Sequence, residues 1–91
     1  MYRVWGGGSQ QVGAWLTPIR PTSAAASTEG LALPSANTAQ FYSEVVVPAG
    51  TRYQVGTAAA ANGLGGGGVQ VQLLERISLG NYRPGIQLPP H

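Results

Sequence analysis

Two glutamines, Gln70 and Gln72, alternate with apolar residues in VQVQL, the run that leaves a glycine-rich stretch, GLGGGG, at 63–68. An amide both donates and accepts hydrogen bonds in a single protonation state. Lining a cleft, it can hold ribose hydroxyls or a water where many enzymes place an acid. Few other side chains could do chemistry. The cations are Arg3, Arg20, Arg52, Arg76 and Arg83, with no lysine, and the acids are Glu29, Glu44 and Glu75, with no aspartate. The planar arginine fork suits bidentate contacts to phosphate or carboxylate; its exclusive use also follows from genomic base composition alone. His91, the sole histidine, is the last residue, and there is no cysteine. That excludes a disulfide framework and a thiolate metal site, and argues against a Ser–His relay or a histidine zinc centre. No metal is expected.

The elements that must carry these residues are short. With 91 residues, the chain is read as a single domain, 1–91, with a modest core. Tyr2–Trp5 reads as a strand stopped by glycines, and Ala14–Thr17 as a second one stopped by Pro18. In PTSAAASTEG, Thr22 or Ser23 can cap a helix that the alanines favour and that Gly30 can end in a left-handed conformation. LALPSANTA (31–39) reads as a loop, or a loop around a helical turn. Gln40–Val47 is the clearest strand by β-branched and aromatic content. A Pro48–Gly50 turn leads into a strand at Thr51–Gly56. After the loop AAAANGLGGGG, Val69–Leu74 alternates with a period of two, so Val69, Val71 and Leu73 point one way and Gln70, Gln72 and Leu74 the other. Ile77 is a candidate for a last strand. Glu44 reads as a structural partner for an arginine. The fold class expected is α+β, mostly antiparallel β, with one or two short helices.

Several functions can be set aside. A phosphate-gripping loop needs strand, glycine loop, then lysine and Ser/Thr opening a helix; here a strand follows the glycines and lysine is absent. A dinucleotide-binding βαβ unit fails for the same want of a helix. A net charge of +2 is too weak for a nucleic-acid stripe. No apolar run approaches the roughly 20 residues of a membrane helix. The opening MYRVWGGG lacks the regions of a signal peptide, so no secretory leader is expected there.

The order YRVWGG, AWLTP, a small-residue helix, ALP, a strand with PAGTR, then GTAAAANGLGGGGVQ resembles the tuberculosis necrotizing toxin family, NAD(P)-glycohydrolase domains at the ends of secreted polymorphic toxins. The resemblance covers nearly the whole chain and is carried best by the GGG-x-Q ending of its glycine segment. It implies a compact ADP-ribosyltransferase-like split β-sheet core around an NAD cleft. It also implies cleavage of NAD or NADP, as substrate rather than resident cofactor, into nicotinamide and ADP-ribose (phosphate). Carried over by position, Gln70 and Arg3 are the catalytic candidates. The substrate-binding candidates are Trp15, Arg20, Gln72 and Phe41, the last standing near where the family has a histidine. This chain has none there, and Ala60-Ala61-Asn62 replaces the family's Pro-x-Phe. A monomeric effector acting in a target cell's cytoplasm follows from the resemblance, with a dedicated immunity protein as partner and neither nucleic acid nor membrane. Two alternatives stand beside it: ADP-ribosyl transfer to a macromolecule, with Glu75 as a candidate acid, and a non-catalytic binding domain on a similar fold.

Overall fold

The computed structural model covers residues 1–91 and arranges six strands and one α-helix as two three-stranded antiparallel sheets. The first sheet has the order β1-β3-β6, with β1 at Tyr2–Gly7, β3 at Asn37–Glu44 and β6 at Ile86–Gln87. The second has the order β2-β5-β4, with β2 at Trp15–Leu16, β4 at Tyr53–Thr57 and β5 at Val69–Leu73. The coarse expectation of a small, mostly antiparallel α+β domain therefore holds. The sheets meet at Tyr2 and Thr17, which exchange both backbone hydrogen bonds at 2.8 Å.

Alternation sets which side of each sheet is buried. In β5, Val71 and Leu73 enter a cluster with Leu16, Val45, Ile77 and Tyr82. In the first sheet, Val4, Ala39 and Tyr42 pack with Leu88, backed by Leu31 and Leu33. Val69 shares the inward side of β5 but remains exposed, because β4 beside it is exposed along its whole length. Ile77 is buried in the core from an irregular segment rather than a strand, and the final strand is β6. The strand expected from Gln40 begins earlier, at Asn37. There the pairing of β1 and β3 slips between Trp5 and Gly7, and Asn37 fills the irregularity. Its Nδ2 donates to Val4 O at 3.1 Å, and its Oδ1 accepts from Ala39 N–H at 3.0 Å.

Helix α1 spans Ala24–Gly30, and the Ser23 hydroxyl caps it by accepting from Ala26 N–H at 3.1 Å. Seven residues make a helix too short to persist alone, so both ends lean on distant chain. Pro89 O and Pro90 O accept from Ala24 N–H and Ala25 N–H. At the other end, Gly66 N–H and Gly68 N–H donate to Glu29 O and Gly30 O at 3.0 and 2.7 Å. The orphan groups of both termini are thereby answered. The left-handed residue after the helix is Ala32 (φ 49°), not Gly30 as the sequence suggests. Gly30 stays helical while Leu31 caps the end with its N–H on Ser27 O.

A cleft at the seam of two sheets

The seam between the sheets opens into a cleft of about 300 Å³. Tyr2, Arg3 and Val4 come to it from β1, Trp15 and Leu16 from β2, and Gln70 from β5. Its apolar wall is Leu31–Pro34, the segment between α1 and β3. Three of the six residues singled out in the sequence, Arg3, Trp15 and Gln70, thus line one cavity. Arg20, Gln72 and Phe41 do not line it.

Arg3 is set in a fixed posture. Its Nε and Nη2 donate to Gln10 O at 3.3 and 3.0 Å, and its Nη1 donates to Trp15 O at 3.2 Å. Gly13 lies against the guanidinium so closely that a Cβ there would sit 2.6 Å from Arg3 Cζ. No carboxylate pairs with it, since the one ion pair in the molecule joins Arg52 to Glu75. Burial disfavours the charged form and lowers the Arg3 pKa, with a smaller opposing pull from Tyr82. A desolvated cation lacking a counter-charge attracts an anion more strongly than a hydrated one does.

Gln70 is positioned through its neighbours. Thr17 Oγ1 donates to Val69 O at 2.8 Å, which fastens the start of β5 to the end of β2. Across the pairing with β4, Gln70 faces Gly56, so no side chain stands beside it there. Trp15 is 48% exposed while its neighbour Leu16 is 3% exposed, as expected for adjacent residues on opposite faces of a sheet.

The remaining candidates lie elsewhere. Arg20 donates through Nε and Nη2 to Tyr42 Oη at 3.2 and 3.0 Å, and this hydrogen bond raises its pKa. Phe41 packs on Trp5, with ring centroids 4.8 Å apart. Gln72 pairs in register with Trp15 on one side and Gln54 on the other. Glu75 is engaged by Arg52 at 3.1 Å. Glu44 forms no ion pair, contrary to the expectation of an arginine partner.

The glycines prove to be part of the frame. Gly66 and Gly68 press on backbone: a Cβ on Gly66 would lie 2.5 Å from Ala58 O, and one on Gly68 would lie 2.8 Å from Gly30 O. None of the run lines the cleft. Gly68 closes on the end of α1, which the run straps, while Gly66 closes on Ala58 and Ala59 of its own loop.

The apolar wall, Ser9, Thr17 and Asn37 also line the cleft and are not among the candidates the sequence offers. The signal is present in LALP, whose two leucines straddle Ala32 in the segment that reads as a loop, or a loop around a helical turn. No group of three His, Cys, Asp or Glu side chains is gathered that could hold a metal ion. No helix is long and apolar enough to cross a membrane. In comparisons with known proteins, no family model, no curated protein and no solved structure matches this chain.

Proposed function

We propose that the domain is an NAD(P)⁺ glycohydrolase of the toxin type, with the seam cleft as its active site. One observation carries the reading: Arg3, Trp15 and Gln70, far apart in sequence, line a single cleft with an apolar wall. NAD⁺ suits such a site because nicotinamide leaves from a cationic pyridinium. The C1′–N bond breaks with its electron pair passing to the ring nitrogen, so the departing group needs no proton. Water then adds to C1′ and its proton goes to solvent. The cleft lining contains no carboxylate or histidine, and this bond cleavage requires neither. The ribose becomes oxocarbenium-like, so a cation beside it would be unfavourable. Arg3 is therefore assigned to the pyrophosphate. The Gln70 amide orients ribose hydroxyls or the attacking water. The apolar wall holds the nicotinamide riboside, and the half-exposed Trp15 ring offers an aromatic face to a base of the dinucleotide.

Hydrolysis is preferred to ADP-ribosyl transfer because Glu75, the acid considered for activating an acceptor, is paired with Arg52 and absent from the lining. A producing cell would need protection, so an immunity protein that plugs the cleft is the partner proposed. Incubation of the purified domain with NAD⁺ and NADP⁺, followed by chromatography, tests the reading. Free nicotinamide with no labelled macromolecule is expected. A labelled macromolecule would point to transfer, and intact cofactor to a binding domain.

A further inference from the structure

A cavity of about 300 Å³ stands at the lower edge of the range for small-molecule sites, roughly 300–1,000 Å³. It has room for one half of a dinucleotide, so the other half must rest outside. The strand register shows where. Directly opposed residues of an antiparallel pair point to the same face. Trp15 is opposed by Gln72, and Gln72 by Gln54, so an indole and two amides form a row across β2, β5 and β4. The row lies on the face opposite Leu16, Val71 and Leu73, which are buried in the core. Gln54 and Trp15 are exposed and Gln72 is half-buried. The neighbouring row holds Gln70 and Gly56, and a Cβ built on Gly56 meets nothing within 4 Å. Trp15 and Gln70 also line the cleft, so this open face continues the cleft's mouth.

We propose that the outer face of the second sheet is a purine subsite: an adenine base stacks on the Trp15 indole, and the Gln72 and Gln54 amides hydrogen-bond its edge. An aromatic ring flanked by neutral donors and acceptors fits a planar, uncharged heterocycle better than an anion or an aliphatic chain. Stacking of a base on an aromatic side chain is worth about 1–3 kcal/mol, or roughly five- to 150-fold in affinity. The assignment of adenine, rather than another planar ring, rests on the NAD(P) reading above.

The test separates the two halves with mononucleotides. AMP is titrated into ¹⁵N-labelled protein, with nicotinamide mononucleotide as the companion probe. AMP is expected to shift the Trp15 indole N–H and the Gln72 and Gln54 side-chain amides while leaving the Trp5 indole, which donates to Ser43 Oγ at 3.0 Å, in place. Trp15→Ala should weaken AMP about tenfold or more, and Trp15→Phe should recover part of the loss. The Gln54→Ala/Gln72→Ala double variant should weaken AMP and leave nicotinamide mononucleotide unchanged. Gly56→Val, at a position with free space around it, should fold normally yet weaken ADP-ribose, which must cross that floor. The proposal is overturned if AMP shifts none of these groups, if it binds the double variant as it binds wild type, or if oligosaccharides occupy the face and AMP does not. AMP binding without NAD⁺ cleavage would keep the subsite and reject the enzyme. NAD⁺ cleavage with unchanged KM in the double variant would do the reverse.

Discussion

Arg3 shows how much of a residue's role is settled by what holds it. Three of its guanidinium donors reach two backbone carbonyls, those of Gln10 and Trp15, and Gly13 closes over its plane. Lysine keeps the charge but offers no planar fork to bridge the two carbonyls. Arg3→Lys is therefore expected to weaken ADP-ribose about tenfold, some 1.4 kcal/mol by calorimetry, and to lower the melting temperature as well. Unchanged affinity in a folded variant would remove Arg3 from the site. Gly13→Ala is the companion test, since the new methyl would displace the guanidinium without touching its charge; it should reproduce the affinity loss. Gln70 is tested by truncation. Gln70→Ala should cut NAD⁺ turnover by about 10²-fold, the scale of losing one positioned transition-state contact, with the melting curve nearly unmoved. Gln70→Glu should retain part of the activity, because a carboxylate can still accept from ribose hydroxyls. Wild-type turnover in folded Gln70→Ala would mean that the cleft is not where the reaction occurs.

Among the elements, the strap from Ala58 to Gly68 is the one whose sequence most invites a functional reading and whose geometry is structural. Gly66 takes a φ of 71°, and Gly68 makes a backbone contact too close for any side chain. Their N–H groups end on Glu29 O and Gly30 O, and Gly65 N–H reaches Glu29 Oε1 at 2.9 Å. Gly68→Ala drives a methyl into Gly30 O, a cost of about 1–3 kcal/mol by the usual scale of overpacking. Denaturant unfolding should show it, and exchange protection at Gly66 should fall with it. Wild-type stability in Gly68→Ala would return the strap to the status of a free loop. The order of elements was legible from local chemistry: Ser23 as cap, the alanines of α1, and the alternation of β5. What was not legible came from contacts distant in sequence. Nothing near Gly30 announces that the strap and the Pro89–Pro90 tail complete the helix, and nothing near Asn37 announces that its amide fills an irregularity facing Val4.

At the scale of the molecule, the sheets share few direct ties, and the larger core cluster has six buried residues. Leu16 stands where that core, the seam and the cleft meet. Leu16→Ala should therefore cost about 2–5 kcal/mol and lower the melting temperature by about 10 °C or more. The alternation of Trp15 and Leu16 could be read in the sequence, but the cleft could not, because it belongs to the meeting of β1, β2 and β5 rather than to any one of them. The same assembly sets the expected pH dependence. Burial lowers the Arg3 pKa, so its charged form destabilises the fold, and relief would come only as pH rises through the folded value. Arg20 has the opposite sign: its bond to Tyr42 stabilises the fold at lower pH and is lost only above the raised pKa. Both events belong to strongly alkaline solution, since guanidinium stays protonated at ordinary pH. The cleft lining adds no carboxylate and no histidine, the groups that give most glycosidases a bell-shaped profile. NAD⁺ turnover should accordingly stay level between about pH 6 and about pH 8. A limb of unit slope within that window, measured as kcat at saturating NAD⁺, would require a titrating group that the cleft does not contain and would move the chemistry to another part of the surface.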